Sequence, residues 1–205
     1  MARWWDALLG RTEPVKPDLD ALFALPSAAV TLQAATGLEP IGTGSVCFRA
    51  AEGGAFTTLE HDVLGLLDTG EGPPITQSKD PYGYSWLVVH RTPDQVGELV
   101  TDLHAVNSSL EAAGFGPSLL CSLVVFGISP DGPPDGSPLE SVAGVGRGLA
   151  LVYLYKRGTF YPFAPLAGQR RDNALELQVR AALEGELRIE PDLGRWFPLW
   201  GAPGL

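Results

Sequence analysis

Apolar side chains recur along this chain with two periods, and the change from one period to the other predicts where its elements lie. Spacings of three and four residues are typical of a helix with one buried face, whereas short apolar runs between turn residues indicate buried strands. The helical pattern covers residues 3–10, 18–20, 26–35, 56–67, 94–113 and the segment that begins after residue 173. The strand pattern covers residues 46–49, 75–78, 84–90, 119–128, 149–155 and 159–163. This mixture predicts an α+β fold with an antiparallel or mixed sheet covered by helices.

Turn-forming residues predict the ends of these elements. Gly37 and Gly114 are placed to end helices, and Thr92-Pro93-Asp94 is placed to cap the long helix. Turns are predicted at residues 42–44, 79–83 and 156–158, the last two closing hairpins. Across residues 94–184 the order is helix, three strands, helix. That order predicts a compact module with one helix-covered sheet.

The domain organisation follows from composition. Residues 1–17 are predicted to be an amphipathic helix and a proline-containing linker, and residues 18–205 a single α+β domain. Within that domain, residues 129–148 are rich in Gly, Pro and Ser and predict a flexible, dispensable loop. An aromatic C-terminal tail occupies residues 194–205.

Charge and apolar content limit the classes of partner that we expect for this chain. The chain has 205 residues and a net charge of −10, with only 14 Lys and Arg spread along it, which disfavours nucleic acid. Its apolar runs are shorter than the roughly 20 residues of a transmembrane helix. Cys47 and Cys121 lie in apolar strand patterns and are expected to be buried free thiols in a reducing cytoplasm.

Known catalytic signatures do not occur. The histidines His61, His90 and His104 are far apart, without the spacing of a metal motif. Gly42-Thr43-Gly44-Ser45 lacks the Lys-Ser/Thr of a phosphate-binding loop, and a Gly-x-Ser-x-Gly nucleophile motif does not occur. We therefore expect no catalytic residue, cofactor or metal. A catalytic site assembled in space stays open as an alternative.

The densest internal cluster combines basic and aromatic side chains. Lys156, Arg157 and Tyr161 lie in and after a predicted hairpin turn, and Arg170 and Arg171 precede the last helix. In an acidic protein these side chains would form a positive patch that binds an acidic segment of a partner. The alternative is a solvated turn with charges at a helix end.

Four of the five Trp residues lie near the two ends of the sequence. Trp196 and Trp200 either pack on the protein's own sheet or bind a partner. Trp4, Trp5, Leu8 and Leu9 form an apolar face flanked by basic residues, as in a helix that lies at a membrane surface. The alternatives for that face are partner contact and packing on the core.

Several runs of residues together resemble a known family. They are DALLGR at 6–11, DALFALPS at 20–27, TDLHAVNSS at 101–109, LYKRGTFYPF at 154–163, RRDN at 170–173 and GRWFPLWG at 194–201. The chain resembles the PspA-associated protein PspAB family of actinobacteria and some archaea nearly end to end, apart from a longer loop at 129–148. The layered order is also similar to the YbjN and secretion-chaperone type of fold, by analogy only.

The resemblance implies a cytoplasmic accessory protein of the phage-shock, envelope-stress response. The partners it implies are a PspA-like membrane-maintenance protein and an HtpX-like membrane protease, and it supplies no catalytic residues. We therefore expect a non-enzymatic, chaperone-like adaptor that works by protein–protein binding. Contact of this adaptor with the inner face of the membrane stays open. The alternatives are a peripheral membrane-surface sensor that uses the N-terminal Trp-rich helix, and a small-molecule enzyme.

Overall fold

The computed structural model describes residues 17–49, Gly65, 74–128 and 148–205. The predicted N-terminal helix with Trp4, Trp5, Leu8 and Leu9 therefore lies outside the described residues. So do the predicted helix at 56–67, apart from Gly65, and all but the last residue of the predicted loop at 129–148.

Six strands form one antiparallel sheet, which confirms the predicted α+β class. They are β1 (Leu38–Arg49), β2 (Thr76–Lys79), β3 (Tyr84–His90), β4 (Leu119–Ile128), β5 (Leu149–Leu154) and β6 (Thr159–Phe163). Their order is β2-β3-β1-β4-β5-β6, with every neighbouring pair antiparallel. Two short strands, β7 (Pro165–Leu166) and β8 (Arg170–Arg171), pair separately. Both predicted hairpins, β2–β3 and β5–β6, are confirmed.

Within residues 17–49, 74–128 and 148–205, three α-helices accompany the sheet: α1 (Leu25–Thr36), α2 (Val96–Ala112) and α3 (Asn173–Leu183). A 3₁₀ helix, Leu19–Ala24, leads directly into α1. Asp172 caps α3 by accepting a hydrogen bond from the Leu175 N–H at 3.0 Å. Gly37 follows α1 with a φ of 73°, a left-handed conformation that glycine adopts without strain. The helix, three-strand, helix order predicted for 94–184 is thus confirmed.

Two local predictions are wrong. The turn predicted at 42–44 is part of β1, where the register with β4 shifts between Pro40 and Gly44. Gly42 has a φ of 76°, and a Cβ there would lie 2.0 Å from the Arg91 carbonyl oxygen, so this bulge requires glycine. The long helix begins at Val96, and the preceding Gln95 makes no side-chain cap.

The sheet has two covered faces. On one face, which we call the helix face, side chains of the strands pack against the 3₁₀ helix and the α-helices. The buried residues of this face include Leu22, Leu32, Val46, Phe48, Leu87, Leu103, Val124, Phe126, Leu151, Tyr153, Phe160 and Val179. On the opposite face, which we call the tail face, the buried residues include Cys47, Trp86, Cys121, Val152, Tyr161, Phe163, Trp196 and Ala202. The alternation of side chains along each strand divides them between the faces.

The C-terminal segment, residues 188–205, covers the tail face. It starts beside β6, where the Phe160 N–H donates to the Arg188 carbonyl at 2.9 Å and the Glu190 N–H donates to the Phe160 carbonyl at 2.7 Å. It then crosses the face, where Trp196 is 5% exposed. Packing on the protein's own sheet, one of the two expectations for Trp196, is therefore what this residue does.

Among the described residues, one stretch has the length and apolarity of a membrane span. It is Leu19–Thr36, with a mean hydropathy of 1.2. Leu22, Leu25 and Leu32 of this stretch are buried in the core on the helix face. A core helix of a folded domain accounts for the same pattern.

Candidate binding pocket

A pocket of about 680 Å³ lies on the tail face, between the sheet and the C-terminal segment. This volume is within the range of small-ligand and side-chain pockets. Its lining is mainly apolar and aromatic: Cys47, Asp80, Tyr82, Tyr84, Trp86, Leu120, Cys121, Leu154, Tyr161, Phe197, Pro198, Leu199 and Trp200.

Strand alternation builds the floor of the pocket. Cys47 of β1 faces Trp86 of β3 on one side and Cys121 of β4 on the other, because these residues are direct partners in the sheet. Directly opposite residues in an antiparallel pair point to the same face. The floor therefore lies on three adjacent strands of the sheet, β3, β1 and β4.

Asp80 fixes one wall. Its Oδ1 accepts hydrogen bonds from the N–H groups of Tyr82 and Tyr84, both at 2.9 Å, and its Oδ2 accepts from the Trp86 indole N–H at 3.0 Å. A carboxylate that bonds two backbone groups of a turn and a side chain of the next strand holds that strand's aromatic residues in place. Asp80 thus acts as an organiser of the pocket.

The C-terminal segment supplies the opposite wall. The Tyr161 hydroxyl donates to the Phe197 carbonyl at 2.9 Å, and the Tyr161 ring stacks on Trp196 with centroids 6.1 Å apart. Trp200 meets Phe163 edge to face at 5.1 Å. Burial raises the pKa of the Tyr161 hydroxyl well above its usual value, so this group stays protonated and donates.

Of the predicted partner-binding residues, Tyr161, Trp196, Trp200 and Arg171 come together on this face. Arg171 donates through Nη1 to the Trp196 carbonyl and lies over the Phe163 ring, 5.2 Å from its centroid. Its Nε also donates to Glu176 at 2.9 Å, and Glu176 accepts from the Ala164 N–H at 2.8 Å. Arg171 is therefore an internal ion-pair partner that connects α3 with the C-terminal segment.

The predicted basic patch does not form as one surface. Arg157 lies in the turn before β6 and Arg171 lies beyond its far end, so the length of a five-residue strand separates them, about 17 Å. Arg157 pairs with Glu190, its Nη2 lying 3.2 Å from Oε1. Arg170 is exposed and donates to the Ala167 carbonyl at 3.2 Å. Partner binding by these residues stays a prediction, but they would contact a partner at separate sites on the surface.

Glu190 is a buried acid with a full set of partners. It has no exposed surface and accepts hydrogen bonds from Arg157, from the Thr159 hydroxyl at 2.8 Å and from the Asp192 N–H at 3.2 Å. Burial raises the pKa of its carboxyl, but these donors outweigh burial and the pKa is lowered. Glu190 thus anchors the start of the C-terminal segment as an anion.

Lys156 is exposed and lies beside a second cavity. That cavity, of about 490 Å³, is lined by Pro17, Glu111, Gly114, Gly116, Pro117, Tyr155 and Lys156. Burial, together with the nearby Glu111 carboxylate, raises the pKa of Tyr155 to about 12. Within the described part of the chain, no group of three or more His, Cys, Asp and Glu side chains is arranged to hold a metal ion.

The pocket contains residues that sequence reasoning did not select. Asp80, Trp86 and Leu199 were assigned to a turn, a strand and a tail, and nothing local in the sequence links them. The one signal available was Asp80 before a Pro and a Gly, which is typical of a side chain that bonds its own turn.

Comparison with known proteins identifies a family for this chain. No curated protein and no solved structure matches the chain. The family model described as PspA associated protein B matches residues 2–204. Because the match covers nearly the whole chain, the protein belongs to the PspA associated protein B family.

Proposed function

We propose that this protein is a non-enzymatic adaptor of the phage-shock, envelope-stress response, and that it binds an apolar segment of a PspA-like protein in the tail-face pocket. The family description associates its members with PspA, which supports an accessory role beside that protein. The adaptor mechanism and the binding site are the proposal's own steps. The cytoplasm is the compartment in which such an adaptor would work.

The observation that carries the proposal is the chemistry of the pocket lining. Aromatic and aliphatic side chains make most of its surface. Its Asp80 carboxylate and Tyr161 hydroxyl already bond groups of the protein itself. A polar metabolite would find few free partners there, whereas large apolar side chains of a protein segment would be desolvated against the rings.

The same lining offers no activated nucleophile for the turnover of a substrate. The pKa of the Cys47 thiol is raised, because it is hydrogen-bonded to Cys121 and buried, and a protonated thiol is a poor nucleophile. Asp80 holds the turn and the Trp86 indole, so it is committed to structure. Both support a binding role.

An HtpX-like membrane protease is a second partner in this proposal. An adaptor with one pocket for an apolar segment would present or withhold that segment, which is the chaperone-like part of the role. The exposed Lys156 and Arg170 are separate places where acidic segments of either partner would bind.

Binding measurements with the purified full chain and a PspA-like protein from the same organism test the proposal. Tyr82 and Leu199 line the pocket, and Tyr82 is 58% exposed. We expect Tyr82→Ser and Leu199→Ser each to weaken binding about tenfold or more, since buried apolar anchors dominate such interfaces.

Leu177→Ser is the matched control, since Leu177 is a large apolar side chain, 49% exposed, on α3. It should leave binding unchanged. If Leu177→Ser weakens binding while both pocket variants bind as the wild type does, the site assignment is wrong. No binding by the wild-type chain would contradict the adaptor itself.

The membrane-surface alternative depends on Trp4, Trp5, Leu8 and Leu9. A net charge of −10 opposes general adsorption to anionic lipid. Flotation with anionic vesicles would separate the two functions: an adaptor stays with the protein fraction, whereas a membrane sensor floats and loses flotation when Trp4 and Trp5 are changed to Ser.

A further inference from the structure

The only two cysteines of the chain lie directly opposite each other in the centre of the sheet. Cys47 of β1 and Cys121 of β4 are partners in the antiparallel ladder. Both thiols are free and buried. Nothing in the pattern of the sequence places them together, because more than seventy residues separate them.

Their backbone positions suit a disulfide bond. Opposite residues of an antiparallel pair have Cα atoms about 4.5 Å or about 5.5 Å apart, depending on the hydrogen-bonding pattern. Disulfide-bonded cysteines have Cα atoms about 4.4–6.8 Å apart, so the Cα separation of either pattern lies within the range of a disulfide. The two side chains lie on the same face of the sheet, since directly opposite residues of an antiparallel pair point to the same side.

The pocket gives small molecules a route to this pair. Cys47 and Cys121 both line it, together with the partly exposed side chains of Leu120 and Leu154. Cys121 is 5% exposed and Cys47 is 2% exposed, so Cys121 is the more exposed residue of the two.

We propose that Cys47 and Cys121 form a redox modification site, a reversible disulfide across β1 and β4 that forms when a hydroperoxide enters the tail-face pocket. The Cys121 sulfur attacks the peroxide oxygen; an S–O bond forms, the O–O bond breaks, and an alcohol, or water from hydrogen peroxide, leaves with the thiol proton. The Cys47 sulfur then attacks the sulfur of this sulfenic acid. An S–S bond forms, and the hydroxyl leaves as water with the Cys47 proton.

The hydroperoxide is thus reduced by two electrons, and the two thiols are oxidised to one disulfide. A small-molecule dithiol restores the pair by thiol–disulfide exchange. Because the raised pKa of Cys47 keeps its thiol protonated, we expect its attack on the sulfenic acid to be the slow step. The site responds to sustained oxidative conditions.

Mass spectrometry of the intact, folded chain after treatment with hydrogen peroxide tests the proposal. We expect the mass to fall by that of two hydrogen atoms, and a non-reducing digest to contain the peptide of Cys47 joined to that of Cys121. Reduction with a dithiol should restore the starting mass. The melting temperature of the oxidised chain should rise by about 5 °C or more, because the bond constrains the unfolded chain.

Single variants separate the two steps. In Cys47→Ser, Cys121 should still be oxidised, and a sulfenic-acid probe such as dimedone should label it. In Cys121→Ser, labelling of the less exposed Cys47 should be several-fold lower.

The wild-type measurement stands even where a variant fails to fold. A gain of oxygen without loss of hydrogen, a disulfide between two chains or an unchanged mass would each overturn the proposal. So would a fall in melting temperature on disulfide formation, since it would show that the bond does not fit the native strands.

Discussion

The two faces of the sheet are covered in different ways. On the helix face, α1, α2 and α3 bury mostly aliphatic side chains in one continuous cluster. On the tail face, a segment with little regular structure lies over a floor rich in aromatic side chains and leaves a pocket of about 680 Å³. Side chains on regular helices form closely spaced ridges that pack into grooves, whereas a segment without regular structure has no such repeating pattern.

The two faces also differ in how the segments that cover them are held in place. The C-terminal segment is attached by side chains that bond its backbone carbonyls: Tyr161 donates to Phe197, and Arg171 donates to Trp196. Within the segment, the Trp196 indole N–H donates to the Glu190 carbonyl at 3.0 Å. A segment without its own hydrogen-bond ladder needs such partners when it is buried. Stability of the tail face therefore depends on a few residues, and stability of the helix face on many.

Loss of the main anchor should have the largest effect. Trp196→Ala removes a buried ring and the bond to Glu190, and we expect the free energy of unfolding to fall by about 4 kcal/mol. Urea unfolding followed by circular dichroism measures it. The neighbouring Phe197 is 54% exposed, so Phe197→Ala should cost below about 1 kcal/mol. Equal costs for the two would contradict the anchor.

A comparable substitution on the helix face should lower the free energy of unfolding by less. Leu32→Ala on α1 leaves a cavity in an aliphatic cluster that can partly relax, and we expect a cost of about 3 kcal/mol. Val30, two residues earlier, is 68% exposed, and Val30→Ala should change stability by less than about 0.5 kcal/mol. A cost for Leu32→Ala well above that for Trp196→Ala would reverse the comparison of the two faces.

The two adjacent arginines sharpen the comparison further. Arg171→Ser leaves the buried Glu176 without its cation and frees the Trp196 carbonyl, so we expect a cost of about 2 kcal/mol. Arg170→Ser should cost less than about 0.5 kcal/mol, since Arg170 is exposed. Matched thermal melts of the two variants check this. Equal melting temperatures would mean that Arg171 is as dispensable as a surface charge.

Acid should lower the free energy of unfolding slightly, through Glu190 on the tail face. We expect this to be the smallest of the four effects. The pKa of Glu190 is lower in the folded chain than its ordinary value of 4.5, so the unfolded chain binds more protons in that range. Its contribution is present above pH 4.5 and is lost as the pH falls through the folded pKa. Stability measured from pH 6 to pH 3 should fall less steeply in Glu190→Gln than in the wild type. Parallel curves would exclude Glu190 as the source.

Much of the fold was predictable from the sequence because its signals are local. The apolar run 119–128 is β4, the turn residues at 156–158 close β5–β6, and Gly37 ends α1. The bulge at Gly42 was missed, because two nearby glycines are also typical of a turn and only the approach of Arg91 distinguishes the two.

The pocket was not predictable for the opposite reason. Its walls come from the β2–β3 turn and from residues 197–200, and its floor requires that β1 lie between β3 and β4. Strand order is a long-range property that periodicity does not contain. The pairing of Arg157 with Glu190, 33 residues apart, was not predictable for the same reason. The sequence predicts Arg157 as a free cation, whereas in the structure it is an ion-pair partner.

The parallel bridge between Phe160 and Ile189 has a consequence for solubility. By pairing with β6, the backbone around Ile189 occupies donors and acceptors that an outer strand would otherwise offer to a neighbouring molecule. Cleavage before residue 188 would thus do two things at once: it would uncover an aromatic surface and open a strand edge to self-association. Aggregation, rather than a smaller soluble domain, is the outcome that a protease acting at this point would produce.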